Sequence, residues 1–293
     1  MSVEAPETQR GAPIGPGSLL WENLGRRYNL LTAASAGILQ NMLPGLGAGV
    51  EGFSEVRVDP GQRVAVSAER ILEPVYGPNP EEAGREIRDI HKHIKGHDEQ
   101  GRSYHALNPK TFWWAHATFE VAVVEGRGRF SGHPFAREER RQVNRESMTW
   151  FSLYGMTSRP VPKDLEAFEK EYERICEEEL ELTPAADYLI GLFQEGDIES
   201  FVKAFNIDPR AWKFGRKAVA GSARLFAIGG LPKPVRERFD IPFSRSDELK
   251  LKTLDANVRA IAPRLSEEQF YLPIALEGIR RERANHGQEA AAA

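Results

Sequence analysis

Hydrophobic residues recur along most of this chain three and four positions apart, whereas strict alternation of apolar and polar residues is scarce. The first spacing is typical of amphipathic helices and the second of half-buried strands. Proline and capping residues precede several of the periodic segments, as they do at helix starts. The predicted helices are Leu30–Leu43, Arg63–Ile71, one between Asn79 and Gly96, Thr111–Glu125, Pro134–Tyr154, Pro162–Leu182, one starting at Thr183-Pro184, Asp197–Phe205, Pro209–Leu225, Pro232–Phe239 and Asp247–Arg259. The pattern therefore predicts an all-α fold.

The two ends of the chain lack this periodicity. Residues 1–17 are rich in proline, glycine and polar groups, and residues 285–293 carry no pattern either, so both are predicted to be disordered tails. With 293 residues, of which 41% are hydrophobic, the chain is long enough to bury a substantial core. Residues 18–284 are therefore predicted to form one large helical domain.

One histidine lies where an apolar side chain is expected. The segment Asn79-Pro80-Glu81-Glu82 has the residues typical of a helix start, and Gly96 is typical of a helix end. About four helical turns lie between them. His91 shares the apolar stripe of that helix with Ile87, Ile90 and Ile94, so its ring is predicted to point inward. Two interpretations remain open: a core histidine bonded to a carbonyl, or a neutral imidazole that binds haem iron.

Other residues could accompany His91 in a site. Arg88 and Lys95 stand three positions before it and four after it, where cations could meet haem propionates. A second histidine, His116, shares a stripe with Phe112, Phe119 and Val123, so it is also predicted to face inward. His116 either donates to a neighbouring carbonyl or contributes to the site.

Composition and charge exclude several classes of protein. A net charge of -4 does not favour nucleic acid as a partner. The single cysteine, Cys176, excludes an intramolecular disulfide and fits a reducing cytoplasm. The longest apolar run, residues 112–124, is too short to span a bilayer and contains His116 and Glu120. We therefore expect a soluble cytoplasmic protein that does not insert stably into a membrane.

The common helix-borne metal sites and nucleophile motifs are absent from the sequence. No histidine has an acidic residue three positions before it, which excludes the di-iron carboxylate pattern. Neither His-Glu-x-x-His nor Gly-x-Ser-x-Gly occurs. The glycine-rich segment Gly45–Gly49 lacks a phosphate-binding lysine and is predicted to be a turn between helices.

A series of short motifs resembles a known family. The series is Gln40-x-x-x-Pro44, Gly49-Val50, Asp59-Pro60-x-x-Arg63-x-x-x-Ser67, Arg88-x-x-His91-x-x-x-Lys95-Gly96, Gly101-x-x-Tyr104-x-Ala106-x-x-Pro109 and Trp114-Ala115-His116-Ala117. In its order and spacing it resembles the bacterial latex-clearing proteins and the wider family that includes the fungal oxygenase of mycophenolic acid biosynthesis. The resemblance spans roughly residues 18 to 280.

The resemblance implies an all-α domain with a globin-like core that holds one b-type haem. It implies that His91 is the proximal iron ligand and that Arg63 and Ser67 lie on the distal, oxygen-binding side. Three positions depart from the family: Val66 stands in place of a lysine, Gly47 in place of an acidic residue, and Phe53 in place of a histidine before Ser54. The first two departures argue against polyisoprene as the substrate.

Together these features lead us to expect a haem-dependent oxygenase that acts with dioxygen on apolar small molecules, including unsaturated ones. Arg63 and Ser67 would donate hydrogen bonds to oxygen as charge builds on it. Four aromatic residues are predicted to shape the substrate pocket: Phe53, Trp113, Trp150 and Tyr154. Two alternatives remain: a haem-binding sensor or carrier without turnover, and a haem-free family member that binds an organic ligand.

Overall fold

Helices make up most of the computed structural model, which describes residues 14–205 and 209–292. The helices are α1 Leu19–Leu24, α2 Asn29–Met42, α3 Pro44–Phe53, α4 Pro60–Tyr76, α5 Pro80–Ile90, α6 Pro109–Phe130, α7 Arg137–Leu153, α8 Leu165–Arg174, α9 Pro184–Glu195, α10 Glu199–Ala204, α11 Pro209–Gly229, α12 Lys233–Arg238, α13 Arg245–Ile261, α14 Glu267–Phe270 and α15 Pro273–Ala292. Two short strands, β1 Lys95–His97 and β2 Ser103–His105, form an antiparallel hairpin. The predicted all-α, single-domain fold is confirmed.

Capping side chains position the helix starts. The Asp59 carboxylate accepts a hydrogen bond from the amide of Gln62 at 2.9 Å, and Pro60 occupies the first position of α4. At α9 the Thr183 hydroxyl accepts from the amide of Ala186 at 3.2 Å. Each bond satisfies an amide that has no partner within its own helix. The start predicted at Thr183-Pro184 is therefore confirmed.

The centre of the core is the packing of α2 along α6. Trp114 of α6 is fully buried and donates its indole N–H to the Leu39 carbonyl of α2 at 3.1 Å. Near the other end of α6, any side chain at Gly126 would collide with Asn29. A residue without a Cβ atom therefore allows the two helices to approach closely at this point.

The helix that precedes His91 is shorter than predicted. It ends at Ile90, His91 is its C-terminal cap, and Gly96 lies in the hairpin opposite Tyr104 rather than at a helix end. The turn of the hairpin forms around Asp98, whose carboxylate accepts from the amide of Arg102 at 2.8 Å. The prediction was wrong here because the sequence pattern does not reveal the competing turn.

Other parts of the chain also differ from the predictions. Gly45–Gly49 belongs to α3 and is not a turn. The helix predicted at 162–182 spans Leu165–Arg174 and continues as a π-helical segment, Ile175–Glu179. Helix α15 runs to Ala292 and so includes most of residues 285–293, whereas residues 1–13 lie outside the described part. Within the described ranges, no helix has the length and apolar character needed to cross a membrane.

Candidate active site

A cavity of about 430 Å³ lies among α3, α4, α5 and α6. Among its apolar lining residues are Leu46, Val50, Phe53, Val66, Ile71, Ile87, Ile90, Ile94, Phe112, Phe119 and Tyr154. The polar side chains in its wall are Gln40, Ser54, Arg63, Ser67, Arg70, His91, Thr111 and His116. The described lining contains no aspartate or glutamate. Four polar residues predicted from the sequence meet here: Arg63, Ser67, His91 and His116.

The cavity is open to solvent through an apolar mouth. Phe53, Val66 and Ile90 line it, yet these side chains are 54%, 38% and 50% exposed. Exposed apolar groups around a concave site are typical of a surface that binds an apolar partner. The predicted aromatic pocket is only partly present: Phe53 and Tyr154 line the cavity, but Trp113 and Trp150 are buried in the core behind it.

His91 presents one ring nitrogen to the cavity. Its Nδ1 lies 2.6 Å from the carbonyl oxygen of Ile87, one turn earlier, and we assign the ring proton to this nitrogen. Burial lowers the pKa of His91, and the charge of Arg63 acts in the same direction, against a hydrogen bond to Ile87 that raises it. The ring is therefore neutral at neutral pH. Its Nε2 keeps a lone pair that no described residue engages.

The surroundings of His91 fix its ring plane. The imidazole packs edge-on against Phe112, with 5.8 Å between ring centroids. Metal-binding histidines usually donate their second ring N–H to a carbonyl or carboxylate, which sets the tautomer and the orientation of the ring. His91 therefore has both the carbonyl hydrogen bond expected of a core histidine and the free ring nitrogen expected of an iron ligand.

Arg63 and Ser67 lie one turn apart on α4. The guanidinium donates from Nε to the Ser54 hydroxyl at 3.1 Å and from Nη1 to the Ser67 hydroxyl, which itself donates to the Arg63 carbonyl at 2.7 Å. Burial lowers the pKa of Arg63, and the nearby charge of Arg70 adds to the effect. Two neutral hydroxyls therefore orient this guanidinium without neutralising its charge.

Arg70 is a cavity residue that the sequence analysis missed. It follows Arg63 by seven residues on α4, so both side chains leave the same face of the helix. No hydrogen bond or ion pair links it to any described residue, and it lines the same cavity. The spacing from Arg63 was a signal that could have identified it.

Arg88 and Lys95 lie outside the cavity wall, which does not support the predicted contact with a cofactor. Arg88 pairs with the Asp89 carboxylate at 2.7 Å. Lys95 is exposed on β1. Because α5 ends before His91, Lys95 does not occupy the next helical turn, and the spacing on which the prediction rested is interrupted.

His116 forms part of the inner wall but is directed differently. It is 4% exposed, and its Nε2 lies 3.0 Å from both the carbonyl and the hydroxyl oxygen of Ser147 on α7. Its Nδ1 is enclosed without a hydrogen-bond partner in the described structure. Burial lowers the pKa of His116 to about 4, so this ring is also neutral.

Behind His116 lies a buried carboxyl group. Glu120 is 2% exposed, and Asn144 donates to its two carboxyl oxygens at 3.0 and 3.2 Å. Burial raises the pKa of Glu120 to about 7, while hydrogen bonds from Ser147 and Asn144 act in the opposite direction. We refer to His116, Glu120, Asn144 and Ser147 as the inner polar cluster.

The fold and the site define an all-α protein with an apolar cavity that presents a neutral histidine and arginine donors. Residues 21–262 match the family model described as ER-bound oxygenase mpaB/B'/Rubber oxygenase, catalytic domain. Because the match covers most of the chain, the chain belongs to this family, and it is an oxygenase and hence an oxidoreductase. The resemblance found in the motifs is confirmed. No curated protein and no solved structure matched the chain.

Proposed function

We propose that this oxygenase depends on a b-type haem and acts with dioxygen on apolar small molecules, including unsaturated ones. His91 is the proposed iron ligand, and Arg63 and Ser67 are proposed to lie on the oxygen-binding side. Arg63 is the proposed donor to oxygen, and Ser67, whose hydroxyl proton already bonds the Arg63 carbonyl, orients its guanidinium. The observation that carries the proposal is the geometry of His91: the residue lines the apolar cavity, its Nδ1 bonds the Ile87 carbonyl, and its Nε2 has no partner among the described residues and is not enclosed.

The residues of the cavity fit a haem group. A neutral imidazole with a fixed tautomer is a usual axial ligand of haem iron. The walls are apolar, as the porphyrin face requires, and no described lining residue carries a carboxylate that would oppose anionic propionates. Haem bound here would supply the iron chemistry that activates dioxygen.

The protein's own residues supply orientation and charge stabilisation. Arg63 is held at the cavity wall by Ser54 and Ser67, so the orientation of its remaining N–H groups is fixed. Donors oriented in advance stabilise negative charge that develops on oxygen without reorganising during the reaction. The apolar walls bind a hydrocarbon-like substrate and exclude water around it.

Two departures from the family favour a small substrate other than polyisoprene. Val66 lies at the cavity mouth and adds no donor there. Gly47 is buried against the Asn41 carbonyl and Thr183, and any side chain at this position would collide with them. An acidic residue at position 47 therefore has no space in this fold, and the family's candidate base has no equivalent here.

The test is an absorption spectrum of the purified protein together with the iron content per chain. We expect a Soret band with one iron per chain, and oxygen uptake that depends on an added alkene. A Soret band without uptake for any alkene would indicate a sensor or carrier. Protein that stays colourless after incubation with haemin would contradict haem dependence and favour binding of an organic ligand.

A further inference from the structure

The cavity wall carries two positive charges, and no acidic group in its described lining balances them. Arg63 bonds only to serine oxygens, and Arg70 has no partner in the described structure. Elsewhere in the fold arginines form ion pairs: Arg129 lies 2.8 Å from Asp255, and Arg102 lies 2.6 Å from Asp98. The side chains of Arg63 and Arg70 are both exposed to solvent, so water solvates their charges when no ligand is bound. A ligand that carries a negative charge at this edge would replace that water with direct contacts to guanidinium groups.

The two arginines are placed to act together. Seven residues on one helix face correspond to two turns, a separation of about 10 Å along the axis. The charge of Arg70 reaches Arg63, since it contributes to lowering the pKa of Arg63. The Ser67 hydroxyl lies between them in sequence but is already bonded to Arg63, so the donors left for a ligand are the Arg70 guanidinium and the remaining N–H groups of Arg63.

The chemistry of the wall indicates the kind of anion. A guanidinium donates two parallel hydrogen bonds that match the two oxygens of a carboxylate. The rest of the wall accommodates an apolar body, so the charge of the ligand must lie at the edge of that body. We propose that Arg70, together with Arg63, is a carboxylate-binding pair that holds an apolar ligand carrying a carboxylate.

The carboxylate could come from two sources. It belongs either to a haem propionate, in which case the proposal rests on the proposed function, or to the substrate itself. In the first case Arg70 takes the role predicted for Arg88 and Lys95. In the second, the substrate class narrows from apolar molecules to carboxylated ones such as long-chain acids.

The experiment compares acids with their esters. Haem-free protein is titrated with haemin and with haemin dimethyl ester, and separately with oleate and with methyl oleate. We expect wild-type protein to bind one acid more tightly than its ester. Arg70→Gln should lose affinity for that acid by about tenfold and leave ester binding unchanged. Arg85→Gln on α5, which removes an exposed arginine outside the cavity, is the matched control and should change neither.

The outcomes separate the two sources and the two proposals. If Arg70→Gln loses the preference for haemin over its dimethyl ester, the bound carboxylate is a haem propionate. If it loses the preference for oleate over methyl oleate, the bound carboxylate belongs to the substrate. If the wild type binds no haem form, the proposed function fails while the oleate titration still tests the pair. The carboxylate proposal is overturned if the wild type prefers neither acid, or if Arg70→Gln weakens acid and ester equally. Retention of the preference in Arg70→Lys and its loss in Arg70→Gln would confirm that the charge is what matters.

Discussion

The two inward-facing histidines of this protein share a cavity but have opposite surroundings. His91 bonds a carbonyl of its own helix, and its second nitrogen is accessible from the cavity. His116 bonds Ser147 on a neighbouring helix, and its second nitrogen is enclosed. Both rings are neutral, so burial and charge alone do not distinguish them. What distinguishes them is an accessible lone pair, which is the property a metal ligand needs.

The difference extends to the groups around each histidine. Arg63 and Ser67, on the same open side as His91, retain contact with the cavity. The inner polar cluster is closed, and its hydrogen bonds join α6 to α7. Substitutions on the open side should therefore change binding and turnover but not folding. Substitutions in the inner polar cluster should change stability but not haem content.

The largest effect is expected at His91. Replacing it with alanine removes the proposed iron ligand, so haem affinity should fall by more than about 100-fold, and added imidazole should partly restore the Soret band. His116→Gln keeps an amide donor for Ser147 and should retain haem, as should His93→Ala at an exposed position outside the cavity. Haem titration with each variant is the measurement. Haem loss in His116→Gln with retention in His91→Ala would reverse the comparison.

Glu120 should produce the largest effect on stability. An unfolded glutamate loses its proton near pH 4.5 and the folded one near pH 7, so the folded state holds more protons in this window. Stability then falls as the pH rises through it, by on the order of 3 kcal/mol. Glu120→Gln should remove this loss and be more stable than wild type at pH 8 but not at pH 4.5. Urea unfolding at the two pH values tests this, and an equal difference at both would refute it.

Arg63 should affect the reaction and leave the fold intact. Arg63→Leu removes an oriented donor from the cavity, and loss of one such donor slows turnover by about 100-fold. Haem-normalised oxygen uptake with an active alkene measures the effect, and Arg85→Leu on α5 is the control. Unchanged turnover in Arg63→Leu would remove Arg63 from the oxygen-binding side.

Ser147 should give the smallest effect of the four. Ser147→Ala removes the hydroxyl that bonds His116 and Glu120, but the backbone carbonyl that accepts from His116 Nε2 remains. We expect a stability loss of about 1 kcal/mol in urea unfolding, with an unchanged iron content per chain. A marked fall in haem affinity would show that the inner polar cluster acts on the cofactor after all.

Much of the candidate site could be predicted from local sequence. His91 and His116 were placed inward by their positions on apolar stripes, and both line the cavity. Arg63 and Ser67 came from the motif resemblance, and their spacing of four residues puts them on one face of α4. Such predictions depend only on helical periodicity, which is a local property of the chain.

The tertiary structure decided which groups are accessible. Glu120, Asn144 and Ser147 meet across two helices, and only packing places their side chains within hydrogen-bond distance. Helix α5 ends at Ile90, and Lys95 lies instead on β1 of a hairpin whose turn is held by Asp98. The sequence alone thus determined the helical fold and its inward-facing histidines. Solvent access, the choice of ring nitrogen and the lack of acids in the described part of the cavity wall were set by contacts between residues far apart in sequence, because these properties depend on the neighbours that packing supplies.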